Sequence, residues 1–154
     1  MNSAERQSTV ELSVFEEFRR KAALSIVPDS VTKHSGESEP DITCMIEGEG
    51  TVAFELTEIC ESTLAANISA LLKGRGEIVL SISDPSASIA RKKLAKTYRT
   101  DRPLELLCYT NARVVATDDM ILASLRQQLD AQDGPYRRVW LLGEKSLYEV
   151  WRAS

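Results

Sequence analysis

Apolar residues recur along this chain with two different periods, and these periods divide it into helices and strands. After a capping box that runs from Ser8 to Glu11, apolar residues follow at helical spacing: Leu12, Phe15, Phe18 and Ala22. The pattern therefore predicts a first helix that begins at Ser8 and is ended by Pro28. A short strand near Ser30 to Thr32 and a polar loop up to Pro40 follow it.

Two segments with strand periodicity come next, separated by a glycine-rich turn. The segments run from Asp41 to Ile46 and from Thr51 to Ile59, and residues 47–50 join them as a predicted hairpin. In the second strand Val52, Phe54 and Leu56 share one face, whereas Ala53, Glu55 and Thr57 share the other. Glu55 and Thr57 are thus expected on the same side of the sheet.

The rest of the chain alternates helices and strands before it closes with a second hairpin. The predicted elements are a helix around Leu64 to Leu72, a strand from Ile78 to Ser83, a helix from Asp84-Pro85 to about Thr97, an apolar strand from Leu104 to Tyr109, a helix that begins at Thr117, and hairpin strands at Arg138 to Leu142 and Leu147 to Arg152. This order predicts a single α/β domain over 1–154, with a mixed central β-sheet flanked by helices and a C-terminal β-hairpin.

Composition narrows the classes of protein that fit. The chain has 154 residues, of which 43% are hydrophobic and 27% charged, as expected for a globular domain with a real core. No apolar run is long enough to span a membrane, and residues 1–7 are too polar for a signal peptide, so we expect a cytoplasmic protein. Three cysteines without metal-ligand spacing and a single histidine, His34, argue against a zinc site and against histidine-based triads; Cys44 and Cys108 are expected to be buried thiols.

The candidate chemistry lies in the first hairpin, where Pro40-Asp41 precedes Glu55-Leu56-Thr57 by one strand. Two carboxylates on neighbouring strands suit a hard divalent cation, which prefers oxygen ligands and leaves positions open for water and phosphate. The register decides whether they can act together. A four-residue connection would pair Ile42 with Glu55 and put Asp41 on the wrong face. A three- or five-residue connection, or a bulge, would bring Asp41 and Glu55 onto one face.

These features resemble the PD-(D/E)XK nuclease-like superfamily, which has a restriction-endonuclease-like core. The resemblance covers roughly the first two-thirds of the chain: the leading helix, Pro40-Asp41, the hairpin, Glu55-Leu56-Thr57, and the helix, strand and helix that follow. It implies that Asp41 and Glu55 bind Mg²⁺, for which Mn²⁺ can substitute. It also implies that an acidic residue on the first helix often assists. The motif lysine, which positions or activates the attacking water, is replaced here by Thr57.

Some members of the superfamily recruit this lysine from another element. Lys93 and Lys96 are the candidates here, and Lys93 is favoured because it lies at the margin of the apolar face of its helix, whereas Lys96 lies further out. Glu11 shares a helix face with Phe15 and Phe18 and could point inwards, although its place in the capping box also accounts for it.

Structural interpretations compete with each of these assignments. Asp41 and Glu55 could be unrelated polar groups of a half-exposed hairpin, and Thr57 is accounted for by its β-propensity. The basic residues from Arg91 to Arg102 could steer a phosphate backbone or simply form a solvated face. Two further groups are better assigned to core packing and to helix capping than to a site: the aromatic residues Trp140, Tyr148 and Trp151, and the pair Asp118-Asp119.

The sequence thus predicts a magnesium-dependent nuclease-like domain that acts on DNA phosphodiesters, with Asp41, Glu55, Thr57 and Lys93 at its site. The main alternative is a catalytically inactive nuclease fold that binds a protein or nucleic acid, which the missing lysine and the net charge of −4 both favour. A homodimer or a protein partner fits either hypothesis. A serine or cysteine hydrolase has no support, because the chain contains no Gly-x-Ser-x-Gly elbow.

Overall fold

A mixed β-sheet of six strands, described by a computed structural model, forms the centre of the protein. The structure describes residues 3–35, 39–59, 93, 101–110, 117–131 and 134–153. Lys93 has helical backbone conformation. The predicted helix around Leu64 to Leu72, the strand from Ile78 to Ser83 and the rest of the helix that carries Lys93 lie outside the described residues.

The strands follow one another across the sheet in chain order. They are β1 (Thr32–Lys33), β2 (Ile42–Ile46), β3 (Gly50–Glu58), β4 (Leu104–Tyr109), β5 (Arg138–Leu142) and β6 (Leu147–Arg152). β1, β2 and β3 pair antiparallel, β3, β4 and β5 pair parallel, and β6 returns antiparallel beside β5. The prediction of an α/β domain with a mixed sheet and a C-terminal hairpin is therefore confirmed.

The first helix, α1 (Ser3–Lys21), begins five residues earlier than the capping box indicated. Residues 4–7 are good helix formers, and the hydroxyl of Thr9 donates to the Glu5 carbonyl at 2.9 Å, as occurs inside a helix. The prediction that Ser8 begins the helix and that Glu11 belongs to a capping box is therefore wrong. Glu11 lies one turn further into the helix with only 6% of its surface exposed, which leaves the inward-pointing interpretation.

The hairpin between β2 and β3 has a three-residue connection, Glu47 to Glu49, rather than the four residues that the glycines suggested. Gly48 and Gly50 have φ angles of 86° and 84°, a left-handed conformation that glycine adopts without strain. Because Gly50 belongs to β3 and pairs with Ile46, Ile42 pairs with Phe54. This is one of the two registers that put Asp41 and Glu55 on one face.

Each face of the sheet has its own apolar layer. On the α1 side, Phe18 is fully buried and packs edge-on against Phe54 and Trp140, with ring centroids 5.5 and 5.2 Å apart. On the other side, Leu106 and Leu141 of the sheet pack in one cluster with Leu125 of the helix α2 (Asp118–Ala131). Apolar side chains thus cover both faces of the central strands, including β3, which carries Glu55.

The structure also bears on the predictions about the cysteines, the start of α2 and membrane-spanning helices. Cys44 and Cys108 are buried thiols, as predicted, and burial raises the pKa of each to about 12. Thr117 begins α2 as expected, since its hydroxyl accepts from the Met120 N–H at 3.3 Å. Within the described ranges no helix is long and apolar enough to cross a membrane.

Candidate functional site

The candidate site begins where Asp41 enters β2. Ile42 pairs with Phe54, so the next position back along β2 lies opposite Glu55. The Asp41 carboxylate accepts a hydrogen bond from the Leu56 backbone N–H at 2.8 Å, which ties the side chain to β3. The register that the sequence required is therefore present, and the two carboxylates of the motif lie side by side.

Asp41 and Glu55 are close enough to share a proton. Burial, a hydrogen bond with the Glu55 carboxyl and the negative charge of Glu55 together raise the pKa of Asp41 to about 7. The Leu56 N–H opposes this rise, and the charge of Glu11 adds to it. Glu55 itself is 1% exposed on the central strand β3. The pKa of Asp41 therefore lies close to neutral pH, where the proton shared by this carboxyl pair is partly lost.

Lys93 contacts the glutamate of this pair. Its Nζ donates to Glu55 Oε2 at 2.9 Å, and its side chain is 22% exposed. The backbone carbonyl of Lys93 accepts from the Tyr136 hydroxyl at 3.1 Å, which ties Lys93 to the segment that precedes β5. The sequence-based choice of Lys93 agrees with this contact, whereas Lys96 lies outside the described residues.

A second ammonium group, which the sequence analysis missed, contacts the acidic cluster from β1. Lys33 Nζ lies 3.4 Å from Glu11 Oε1 and 4.0 Å from Asp41 Oδ1. Lys33 pairs with Ile42 across the sheet, and the His34 N–H donates to the Asp41 carbonyl at 2.8 Å, so β1 is fixed beside Asp41. Only the alignment of the two-residue strand β1 with β2 could have revealed Lys33, and the predicted strand ended one residue before it.

Glu11 and Tyr109 border the cluster on the α1 side. Glu11, on α1, contacts Lys33, and Lys33 in turn links it to Asp41. Tyr109, at the end of β4, is 1% exposed. Burial first, and then the charges of Glu58 and Glu11, raise the pKa of Tyr109 to about 12. The tyrosine therefore keeps its proton at neutral pH and can act only as a neutral hydroxyl.

Thr57 lies on the same face of β3 as Glu55 and pairs with Cys108 of β4. It is half-buried, and within the described part of the chain its hydroxyl makes no hydrogen bond. The hydroxyl is therefore available to a water molecule beside the carboxyl pair. It cannot supply the positive charge that a lysine would, and in this structure Lys93 brings a charge to Glu55 instead.

Asp41 and Glu55 are the described carboxylates that could hold a divalent cation. Mg²⁺ is usually held by one or two carboxylates while water and substrate phosphate fill its other positions. Asp41 and Glu55 supply two carboxylates that already compete for one proton, a repulsion that a divalent cation would relieve. Among the described residues no group of three or more His, Cys, Asp or Glu is arranged to hold a metal, so a dedicated cage of protein ligands is not formed by them.

The remaining candidates from the sequence either lie elsewhere in the fold or are outside the described residues. The residues outside the described part of the chain are Arg91, Lys92, Lys96 and Arg99. Trp140 is buried, as its assignment to core packing predicted, and its indole N–H donates a hydrogen bond to Glu105. Asp118 does more than cap α2, because its carboxylate accepts from the Glu144 and Lys145 N–H groups at 3.0 Å and from the Tyr148 hydroxyl at 3.1 Å. It thereby anchors the β5–β6 turn.

Comparisons of the chain with protein-family models, with curated proteins and with solved structures found no match. Any functional assignment therefore depends on the geometry of the cluster formed by Glu11, Lys33, Asp41, Glu55 and Lys93.

Proposed function

We propose that this protein is a magnesium-dependent nuclease-like domain of the PD-(D/E)XK type, which cleaves DNA phosphodiesters. The observation that carries the proposal is the convergence of Asp41, Glu55 and Lys93 from three separate segments. Asp41 and Glu55 lie side by side on neighbouring strands, and Lys93 Nζ lies 2.9 Å from Glu55 Oε2. A leading helix, an antiparallel hairpin and a parallel strand in this order also support it.

Each residue of the cluster has a role in such a reaction. Bound Mg²⁺ would polarise the phosphate and lower the pKa of a coordinated water. Asp41 and Glu55 would hold the cation once their shared proton leaves. Thr57 would orient the attacking water through its hydroxyl, and Lys93 would stabilise the charge that develops on the phosphate oxygens.

Lys33 and Glu11 complete the arrangement from β1 and α1. The 3.4 Å contact between them keeps the Lys33 ammonium beside Asp41, where it adds positive charge next to the phosphate position. Glu11 keeps Lys33 in place and adds negative charge towards the cation. While Asp41 and Glu55 share one proton, the two ammonium groups balance the three carboxyl groups of the described cluster, and loss of that proton leaves a net negative charge that favours a cation.

The test is a calorimetric titration of Mn²⁺ into the protein and into the Glu55→Gln variant, followed by an assay for cleavage of plasmid and linear DNA. Gln keeps the size of Glu55 and removes its charge. Saturable binding of about one ion that Glu55→Gln abolishes, together with metal-dependent cleavage that is also lost, supports the proposal. Glu16→Gln on the exposed face of α1 is the matched control. Cleavage that Glu55→Gln leaves unchanged would refute the assigned site.

A second candidate, an inactive nuclease fold that binds nucleic acid or protein, is favoured by one specific observation. Lys93 and Lys33 already balance the carboxylates of the cluster, so the site is electrostatically satisfied by ammonium groups alone. Under this hypothesis Glu55→Gln changes neither metal affinity nor partner binding. Partners of this domain would be nucleic acid, a second copy or another protein, and a cytoplasmic location is part of either proposal.

A further inference from the structure

An arginine-rich cavity lies where β3 and β5 begin. It has a volume of about 360 Å³ and is lined by Glu49, Arg137, Arg138, Arg152 and Ala153. Glu49 precedes β3 by one residue, whereas Glu55 lies five residues into that strand from Gly50. Arg138 pairs with Glu105, which pairs with Phe54, the residue before Glu55. Because successive residues of a strand point to opposite faces, Arg138 and Glu105 lie on the other face of the sheet from Glu55. The cavity is therefore a separate feature of the fold.

A buried glutamate fixes the arginines at the back of this cavity. Glu105 of β4 is 0% exposed. Its carboxylate accepts a hydrogen bond from Arg137 Nε at 2.8 Å and one from Trp140 Nε1 at 2.7 Å. It also accepts two hydrogen bonds from Arg138, through Nε and Nη2, each 3.0 Å long. The Arg138 guanidinium also lies over the Trp140 ring, 4.9 Å from its centroid. Such support removes the conformational freedom that arginine would otherwise lose on binding an anion.

The arginines keep donors for a ligand. Arg137 and Arg138 contact Glu105 through Nε and Nη2, and Arg152 contacts Glu149 through Nε at 2.7 Å. Within the part of the chain that the structure describes, the Nη1 group of each arginine makes no hydrogen bond. Three guanidinium groups thus present donors to one cavity whose only acidic lining residue among those described is Glu49.

We propose that this cavity binds the phosphate group of a small phosphorylated molecule. Three arginines match the several oxygens and the double negative charge of a phosphate monoester, and fork-shaped guanidinium groups bind such oxygens bidentately. The volume of 360 Å³ suits a small metabolite and is too small for a nucleic-acid duplex. Glu49 Oε1 accepts from Arg137 Nη2 at 2.7 Å, so the Glu49 carboxylate occupies a donor that the ligand would use.

Because Glu49 occupies a donor of Arg137 inside the cavity, two substitutions of lining residues should change the affinity for phosphate in opposite directions. Arg152→Gln removes a ligand donor and should weaken phosphate binding about tenfold. Glu49→Gln removes the competing carboxylate and should strengthen phosphate binding severalfold. Arg19→Gln is the matched control, since Arg19 on α1 also pairs through Nε with a glutamate three residues away, at 2.9 Å.

Inorganic phosphate and adenosine 5′-monophosphate would be titrated calorimetrically into the full chain, in the presence of EDTA so that no metal ion mediates binding. Saturable binding with the expected opposite effects supports the proposal. Tighter binding of the nucleotide would extend the ligand to a nucleotide, and equal affinities would restrict it to the phosphate group. Lack of saturable binding up to about 10 mM, or equal weakening by Arg152→Gln and Arg19→Gln, would overturn the proposal. Circular dichroism of each variant would verify that it is folded.

Discussion

Lys93 Nζ lies 2.9 Å from Glu55 Oε2, although the two residues are 38 positions apart in the chain. Glu55 is 2% exposed at its side chain, and Lys93 is 22% exposed. The ammonium group therefore stabilises a carboxylate that water hardly reaches. The same contact is a structural ion pair in the absence of a cation and a candidate catalytic arrangement in its presence, and these two roles can be separated experimentally.

Lys93→Met should lower the free energy of unfolding by about 2–3 kcal/mol near neutral pH, because it leaves Glu55 buried without its ammonium contact. The same variant should bind Mn²⁺ at least as tightly as the parent chain, since an internal competitor of the cation is gone. If Lys93 acts on substrate, cleavage should fall nonetheless. Urea unfolding, calorimetry and a cleavage assay check the three expectations. The control is Lys21→Met, whose pair with Glu17 is exposed and 4.0 Å long.

Asp41→Asn should stabilise the protein in alkaline but not in acidic solution. The folded state raises the pKa of Asp41 to about 7, above the unfolded value of about 3.9, so the folded state holds a proton that the unfolded state loses between these values. The contribution of Asp41 to stability is therefore complete below about pH 4 and lost as the pH rises through about 7. Asn does not titrate and still can accept from the Leu56 N–H.

The expected gain for Asp41→Asn is on the order of 1–2 kcal/mol at about pH 8, discounted for the partial exposure of the Asp41 side chain. Urea unfolding at about pH 5 and pH 8 measures it, with Asp29→Asn in the exposed 3₁₀ turn as the control. A gain of equal size at both pH values would show that the charge of Asp41 is not the cause.

Metal affinity should depend on pH in the opposite sense to stability. If a cation binds Asp41 and Glu55, it must displace their shared proton, so Mn²⁺ affinity should rise by up to tenfold per pH unit below about 7 and level off above it. Calorimetry in two buffers of different ionisation enthalpy measures the released proton directly. Affinity that does not vary with pH would place the cation elsewhere.

Glu105→Gln should destabilise the protein far more than Glu49→Gln, although both residues contact Arg137. Glu105 is fully buried among charged donors, and the loss of its charge leaves Arg138 uncompensated, at a cost of about 3–5 kcal/mol. Glu49 is 34% exposed, and its loss should cost about 1 kcal/mol or less. Thermal unfolding of the two variants gives the comparison, and similar losses would contradict it.

Gly143→Ala should reveal the tie between Asp118 and the β5–β6 turn. A Cβ at position 143 would lie 2.5 Å from the Asp118 carboxylate, so the substitution should cost about 1–3 kcal/mol. Asp118→Ala removes both the obstacle and the acceptor of three hydrogen bonds. The two substitutions should therefore be clearly non-additive in a double-mutant cycle, and additive losses would rule out the contact as their cause.

Local patterns in the sequence were sufficient for much of the sheet. The alternation in β3 predicted which residues accompany Glu55, and the position of Lys93 at the edge of an apolar helix face identified the lysine that contacts it. These features depend on periodicity within one element, which a single sequence carries. The strand Leu104–Tyr109 was predicted for the same reason.

Features that depend on pairing between distant segments were missed. Lys33 reaches Asp41 only because β1 aligns with β2, and Glu105 is buried only because two arginines from β5 and the segment before it surround its carboxylate. The predicted start of α1 was wrong for a different reason. A capping-box pattern also occurs inside helices, and the sequence around Glu11 does not show that its side chain contacts the distant Lys33.

The hydrogen bond from the Leu56 amide to Asp41 joins the chemistry of the site to the backbone of β3. An amide proton that faces a carboxylate resonates at a different frequency from one that faces a carboxylic acid, because the charge polarises the N–H bond. The Leu56 signal in a nitrogen–proton correlation spectrum would therefore report the ionisation of Asp41 directly. A single backbone resonance could thus follow proton loss, cation entry and substrate arrival at a site whose own side chains give no signal in that spectrum.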